Sequence, residues 1–122
     1  MSTLVVDGAN VVGSVPDGWW KDRRGAASRL RDALVPVASG GLPGVLPGPL
    51  RVVLVVEGAA RGVTAVPGVE VVSAPGSGDD TIVSVAAAAD PPVWVATADR
   101  ELRARVRALG ADVLGPSSVP RR

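Results

Sequence analysis

Four short stretches place acidic or amide side chains where chemistry could be done: Asp7-Gly8-Ala9-Asn10, Glu57-Gly58, Gly78-Asp79-Asp80-Thr81 and Thr97-Ala98-Asp99. The chain holds no His, Cys or Tyr. A serine or cysteine nucleophile paired with imidazole therefore cannot be assembled. Zinc sites built on His and Cys, and disulfides, are excluded for the same reason. Any catalysis must rest on carboxylates, on a hard metal ion that they bind, or on a cofactor.

Each stretch has a plain structural reading as well. Asp7 ends the apolar run Leu4-Val5-Val6 and is followed by a glycine, so an Asx turn closing a strand would account for it. Asn10 offers a carbonyl acceptor and amide donors to the same spot. Leu50 to Val56 repeats the pattern and ends in Glu57-Gly58. Ser77 and Asp80 have the spacing of a capping box, and Asp79 and Asp80 both suit the positive end of a helix dipole. Asp99, after Val93-Trp94-Val95-Ala96-Thr97, reads on its own as the N-cap of the next helix.

Positioning these residues requires strands and helices in alternation. Near-continuous apolar strands at 3–7, 50–56 and 92–99, with 69–73 as a third strand in chain order, are the pattern of a parallel sheet covered on both faces. Glu70 lies near the start of its strand, on the edge opposite Asp7 and Glu57. Ala26, Ala27, Leu30, Ala33, Leu34 and Val37 recur at helical spacing, with Pro36 expected to end or bend that helix near Val35. Ile82, Val83, Ala86 and Ala89 predict a buried helix, and Leu102, Val106 and Leu109 another. On the latter, Arg100, Arg103 and Arg107 share the opposite face, either a solvated row or a grip for phosphates. Residues 11–18 read as turns, and the glycines and prolines between Ser39 and Pro49 as a surface loop. Trp19 and Trp20 suit anchors at a helix start or stacking platforms. Gly110 closes the last helix, 111–114 forms an edge strand, and 115–122 is expected to fray.

At 122 residues the chain suits a single domain. No apolar stretch approaches the about 18 residues of a membrane span, although 47% of the residues are hydrophobic. No basic segment followed by an apolar one opens the chain, so the expected location is the cytoplasm without membrane attachment. The high apolar fraction of so short a chain would suit a homodimer. Net charge is +1, so this is no polybasic coat, yet four arginines fall between Arg100 and Arg107.

The expected fold is α/β, a three-layer α/β/α sandwich with a mainly parallel central sheet of Rossmann-like type. Right-handed crossovers then bring Asp7, Glu57, Asp79 or Asp80, and Asp99 toward the ligand-binding edge. Crowded carboxylates raise one another's pKa, and a cation offsets that repulsion. Mg²⁺ or Mn²⁺, which prefer carboxylate and water oxygens, are the matching ions.

With those residues in place, the sequence resembles the NYN-domain ribonucleases, especially their bacterial YacP-like branch, within the PIN-like nuclease superfamily. The resemblance is carried by Asp7-Gly8-Ala9-Asn10, Gly78-Asp79-Asp80-Thr81-Ile82 and Thr97-Ala98-Asp99-Arg100-Glu101-Leu102, and runs from Leu4 to Leu114. It implies a metal-dependent endoribonuclease in which Asp7, Asp79, Asp80 and Asp99 hold Mg²⁺ or Mn²⁺ and activate water, with Asn10 and Thr97 in support. Glu57 stands where relatives often have Asp, and its longer side chain would reach the metal through water. RNA would be gripped by Arg100, Arg103 and Arg107 on one side, and by Arg23 and Arg24 with a tryptophan on the other. The rival is a PIN-like RNA-binding or protein-interaction module without catalysis. A nucleotide-binding module is disfavoured, because neither glycine-rich phosphate motif follows the first strand.

Overall fold

The computed structural model describes residues 1–121 of the chain. In chain order the elements are β1 (Ser2–Asp7), α1 (Gly8–Val12), α2 (Arg23–Gly40), β2 (Gly41–Leu42), β3 (Leu46–Pro47), β4 (Leu50–Val56) and β5 (Val69–Ser73). They continue with α3 (Gly78–Ala88), β6 (Val93–Ala96), α4 (Arg100–Ala108) and β7 (Asp112–Leu114). Short 3₁₀ turns cover Trp19–Lys21, Gly58–Ala60 and Pro116–Ser118.

Five strands form one sheet in the order β5-β4-β1-β6-β7, and every neighbouring pair is parallel. The chain builds outward from β1 to β4 and β5, then crosses back to place β6 on the other side of β1. The reversal between β1 and β6 is a topological switch point, the position where sheets of this kind open a crevice for ligands.

The twofold alternation of side chains along a strand divides the core in two. Leu4, Val6, Val52, Leu54 and Val56 meet Val11, Leu30 and Leu34 of the α1 and α2 layer. Val5, Val55, Val93 and Val95 meet Ile82, Ala86, Leu102 and Val106 of the α3 and α4 layer. By this parity Asp7 and Thr97 face the α3 and α4 side. The three-layer α/β architecture expected from the sequence is the observed one.

Several local expectations are corrected. Helix α2 runs through Pro36 to Gly40 rather than stopping near Val35. An interior proline costs about 3 kcal/mol, and the burial of Leu30, Leu34 and Val37, at about 1.5–3 kcal/mol each, outweighs it. The loop expected at 39–49 contains the small antiparallel β2–β3 pair, because Leu42, Leu46 and Leu50 are drawn into the core. Residues 8–12 are helical, and Leu109 lies at the C-cap of α4, exposed rather than buried. Residues 115–121, expected to fray, pack back: Val119 is buried and Arg121 pairs with Asp17. Arg122, part of that expectation, lies outside the described residues.

Candidate functional site

Asp7 is the last residue of the central strand and the N-cap of α1 at once. The helix starts so close to β4 that a Cβ on Gly8 would stand 2.6 Å from the Val55 carbonyl oxygen. Only glycine lets the chain turn there, and the turn leaves the Asp7 carboxylate in the switch-point crevice. Its Oδ2 accepts from the Thr97 hydroxyl at 2.8 Å, a bond that bridges β1 to the end of β6. Its Oδ1 accepts from the Asn10 backbone N–H at 3.3 Å.

Thr97 and Asn10 lock the two strand ends together. Thr97 is fully buried, and its Oγ1 also accepts from the Asp99 N–H at 3.1 Å. The Asn10 side-chain carbonyl accepts from the Ala98 N–H at 2.9 Å. Asp99 caps α4 through Leu102 N–H at 2.9 Å. Glu57, just past β4, caps α3 from across the crevice, its Oε2 accepting from Gly78 N–H at 2.5 Å. The Ser77–Asp80 capping box expected from spacing does not form, since the Ser77 side chain makes no cap bond. Glu57 supplies that acceptor instead.

Asp79, in the first turn of α3, completes the group. Its carboxyl is pushed above its ordinary value chiefly by burial, then by the charges of Asp99 and Glu57, with Arg105 pulling the other way. Asp7 is also raised, again chiefly by burial, against the lowering bonds from Thr97 and Asn10 and with further repulsion from Asp79 and Glu57. Asp7, Glu57, Asp79 and Asp99 thus share one electrostatic neighbourhood.

Asp80 does not join them. Its side chain is 85% exposed and pairs with Arg105 at 2.9 Å, because neighbours in a first helical turn point about 100° apart. Of the arginine row, Arg100 and Arg107 are exposed. Arg103 corrects the expectation of a solvent-facing residue: it is half-buried, with its Nε enclosed and without a hydrogen-bond partner, since its position borders the buried Leu102–Val106 stripe. Arg23 stacks over Trp19, 4.9 Å from the ring centroid. Arg24 turns away to donate to the Arg61 carbonyl.

One feature of this edge had little sequence signal. A cleft of about 320 Å³ opens on the α2 side of it, between Trp19, Arg23 and Ala27 on one wall and Glu57, Gly58 and Gly76 on the other. Its lining comes from segments far apart in the chain, and only the adjacency of Trp19 and Arg23 at the start of α2 hinted at it.

Among the described residues, no three acidic side chains stand as a ready-made metal-binding set. The donor chemistry nevertheless suits a hard ion, since all candidates are carboxylate oxygens and Asp7 and Asp79 both carry repulsion that a cation would relieve. Mg²⁺ commonly binds through one or two carboxylates and keeps several waters, so a closed cage of three is not required.

A scan against models of known protein families finds no match, and neither does a search of curated proteins. Among solved structures, the chain is similar to Rae1 (YacP) from Bacillus subtilis, with a TM-score of 0.71 and 23% identity, covering 97% of this chain and 71% of that one. A tryptophan-to-leucine mutant of the same protein gives a TM-score of 0.75 at 23% identity, covering 97% and 72%. The fold is therefore YacP-like. No helix among the described residues is long and apolar enough to cross a membrane.

Proposed function

We propose that the chain is a divalent-metal-dependent endoribonuclease of the NYN, PIN-like type. The observation that carries this reading is the convergence of Asp7, Glu57, Asp79 and Asp99 on the switch-point crevice, where burial and mutual repulsion raise Asp7 and Asp79. Folding opposes such a group unless a ligand rewards it. The YacP-like fold supports the reading, because the motifs in the sequence resemble that same branch.

Mg²⁺ or Mn²⁺ would be held by Asp7 and Asp99, with Glu57 through water, and would supply an acidified water and screening of the phosphate charge. The protein's own groups do the rest. Asp7 is kept in one orientation by Thr97 and Asn10. Asp79 has no hydrogen bond to a described residue and a raised pKa, so it can take a proton from water and return it to the leaving oxygen. Arg100 and Arg107 on the exposed face of α4 hold backbone phosphates, which makes affinity salt-dependent without reading sequence. RNA is the substrate class.

A second reading is favoured by a specific observation: Asp7, Glu57 and Asp99 each accept a bond from a helix N-terminus, as purely structural caps would. On that reading the chain is an RNA-binding or protein-interaction module without catalysis. Cleavage of labelled single-stranded RNA with Mg²⁺ or Mn²⁺, by wild type and Asp79→Asn, decides between them. Metal-dependent cleavage lost in the variant, with RNA binding kept, is the expected result. Binding without cleavage in the wild type would leave the module.

A further inference from the structure

We infer that the cleft beside the carboxylate group is a pocket for one unpaired guanine base of the RNA, an inference that rests on the ribonuclease reading above. Gly8 and Glu57 belong to the cleft lining, and the adjoining Asp7 and the cap on α3 belong to the carboxylate group. A base in the cleft therefore leaves its phosphate at the carboxylate edge. The volume of about 320 Å³ lies at the lower end of small-molecule sites, which run from roughly 300 Å³ upward.

The walls select the chemistry. Arg23 over the Trp19 ring gives one wall a guanidinium and an indole, the flat surfaces on which unstacked bases settle. Val12, Ala27 and Val56 supply apolar lining. The facing wall ends in Glu57, whose Oε2 is held by Gly78 while Oε1 accepts no hydrogen bond from a described residue. Glu57 is the charged group on this wall, beside Ser77, and its free oxygen suits a flat ligand with donors along its edge. Guanine is the base whose pairing edge presents two adjacent donors, N1–H and the 2-amino group, and a carboxylate accepts both.

The test uses the full chain without divalent metal, following tryptophan fluorescence as decauridylates carrying one central guanosine, adenosine or cytidine are added, with guanosine monophosphate alone as a separate arm. The guanosine decamer should bind about tenfold tighter than the others, the discrimination of one bidentate pair. Glu57→Gln keeps an oxygen for Gly78 but loses the second acceptor, so the preference should vanish. Gly76→Leu, at a cleft-lining position where a Cβ meets no other atom within 4 Å, adds bulk to the lining and should weaken the same preference. Equal affinity for all decamers, or a preference that survives both variants, overturns the pocket. Guanosine monophosphate binding as tightly as its decamer overturns the assignment to RNA. Metal-dependent cleavage without base preference removes the pocket alone, whereas preference without cleavage keeps the pocket and removes the catalysis.

Discussion

Acidic side chains stand at both edges of the sheet, and the two edges treat them in opposite ways. At the amino edge Glu70 meets Arg51 in a two-pronged pair at 2.7 and 3.1 Å, and that bond holds its carboxyl below its ordinary value. At the carboxyl edge Asp7 is buried and Asp79 half-buried among other acids, and both are held above theirs. The first arrangement is self-sufficient, since Arg51 and Glu70 are each other's counter-charge. At the second, no described basic residue forms an ion pair with Asp7 or Asp79. A residue type alone therefore says little: the neighbours that the sheet topology supplies decide whether a carboxylate is paired within the chain or faces other acids.

The widest separation between the edges should appear in activity. Asp79→Asn is expected to lower RNA cleavage by about 10²–10⁴-fold, the range for a positioned acid–base group, while Glu70→Gln cleaves as the wild type does. If both variants kept full activity, the carboxyl edge would be no more than a set of caps.

Metal binding should divide the edges next. Mg²⁺ or Mn²⁺ at about 100 times its dissociation constant should stabilise the wild type and Glu70→Gln by about 2.7 kcal/mol in thermal unfolding. The double variant Asp7→Asn with Asp99→Asn should show no such rise. A rise of equal size in all three would place the ion elsewhere.

A smaller effect tests the structural share of the carboxyl edge. Glu57→Ala removes the only side-chain cap on α3 among the described residues and should cost about 1 kcal/mol in denaturant unfolding, with Glu57→Gln costing less because an acceptor remains. An unaffected Glu57→Ala would mean that water serves the Gly78 N–H equally well.

The smallest difference lies in pH dependence, and its sign is opposite at the two edges. Asp79 is raised above 3.8, so the folded state binds its proton more tightly than the unfolded state and loses stability as pH climbs through the raised value. Without metal, Asp79→Asn should be more stable than wild type at neutral pH, and the advantage should shrink as pH falls toward 3.8. Glu70 is lowered from 4.5, so its contribution is present above 4.5 and lost as pH falls through the lowered value. Its side chain is 54% exposed, which limits the pair to about 0–1 kcal/mol. Parallel pH profiles for the two variants would erase the contrast.

Much of the fold was legible because periodicity is local. Leu4-Val5-Val6, Val52 to Val56 and Val93 to Ala96 read as buried strands and are the three central strands of the sheet. The Gly- and Pro-rich passage was misread because composition hid two leucines, Leu42 and Leu46, that had a core to reach. Pro36 was misread because a local helix rule was set against tertiary burial and lost. In the candidate site, Asp7, Asn10, Thr97 and Asp99 were visible as residues that follow apolar runs. Asp79 and Asp80 could not be told apart, since the rotation of α3 about its axis is set by packing of Ile82 and Ala86 on the sheet.

The sequence by itself determined the alternation of strands and helices, the absence of imidazole and thiol chemistry, and the placing of acids after apolar runs, because each is written in residue type and short-range spacing. Tertiary structure alone decided which acids share a field, which one turned to Arg105, that Glu57 caps a helix 21 residues away, and that Trp19, Arg23 and Glu57 enclose a cleft. Those outcomes depend on strand order and helix rotation, and both are set by long-range burial that no short window of sequence contains.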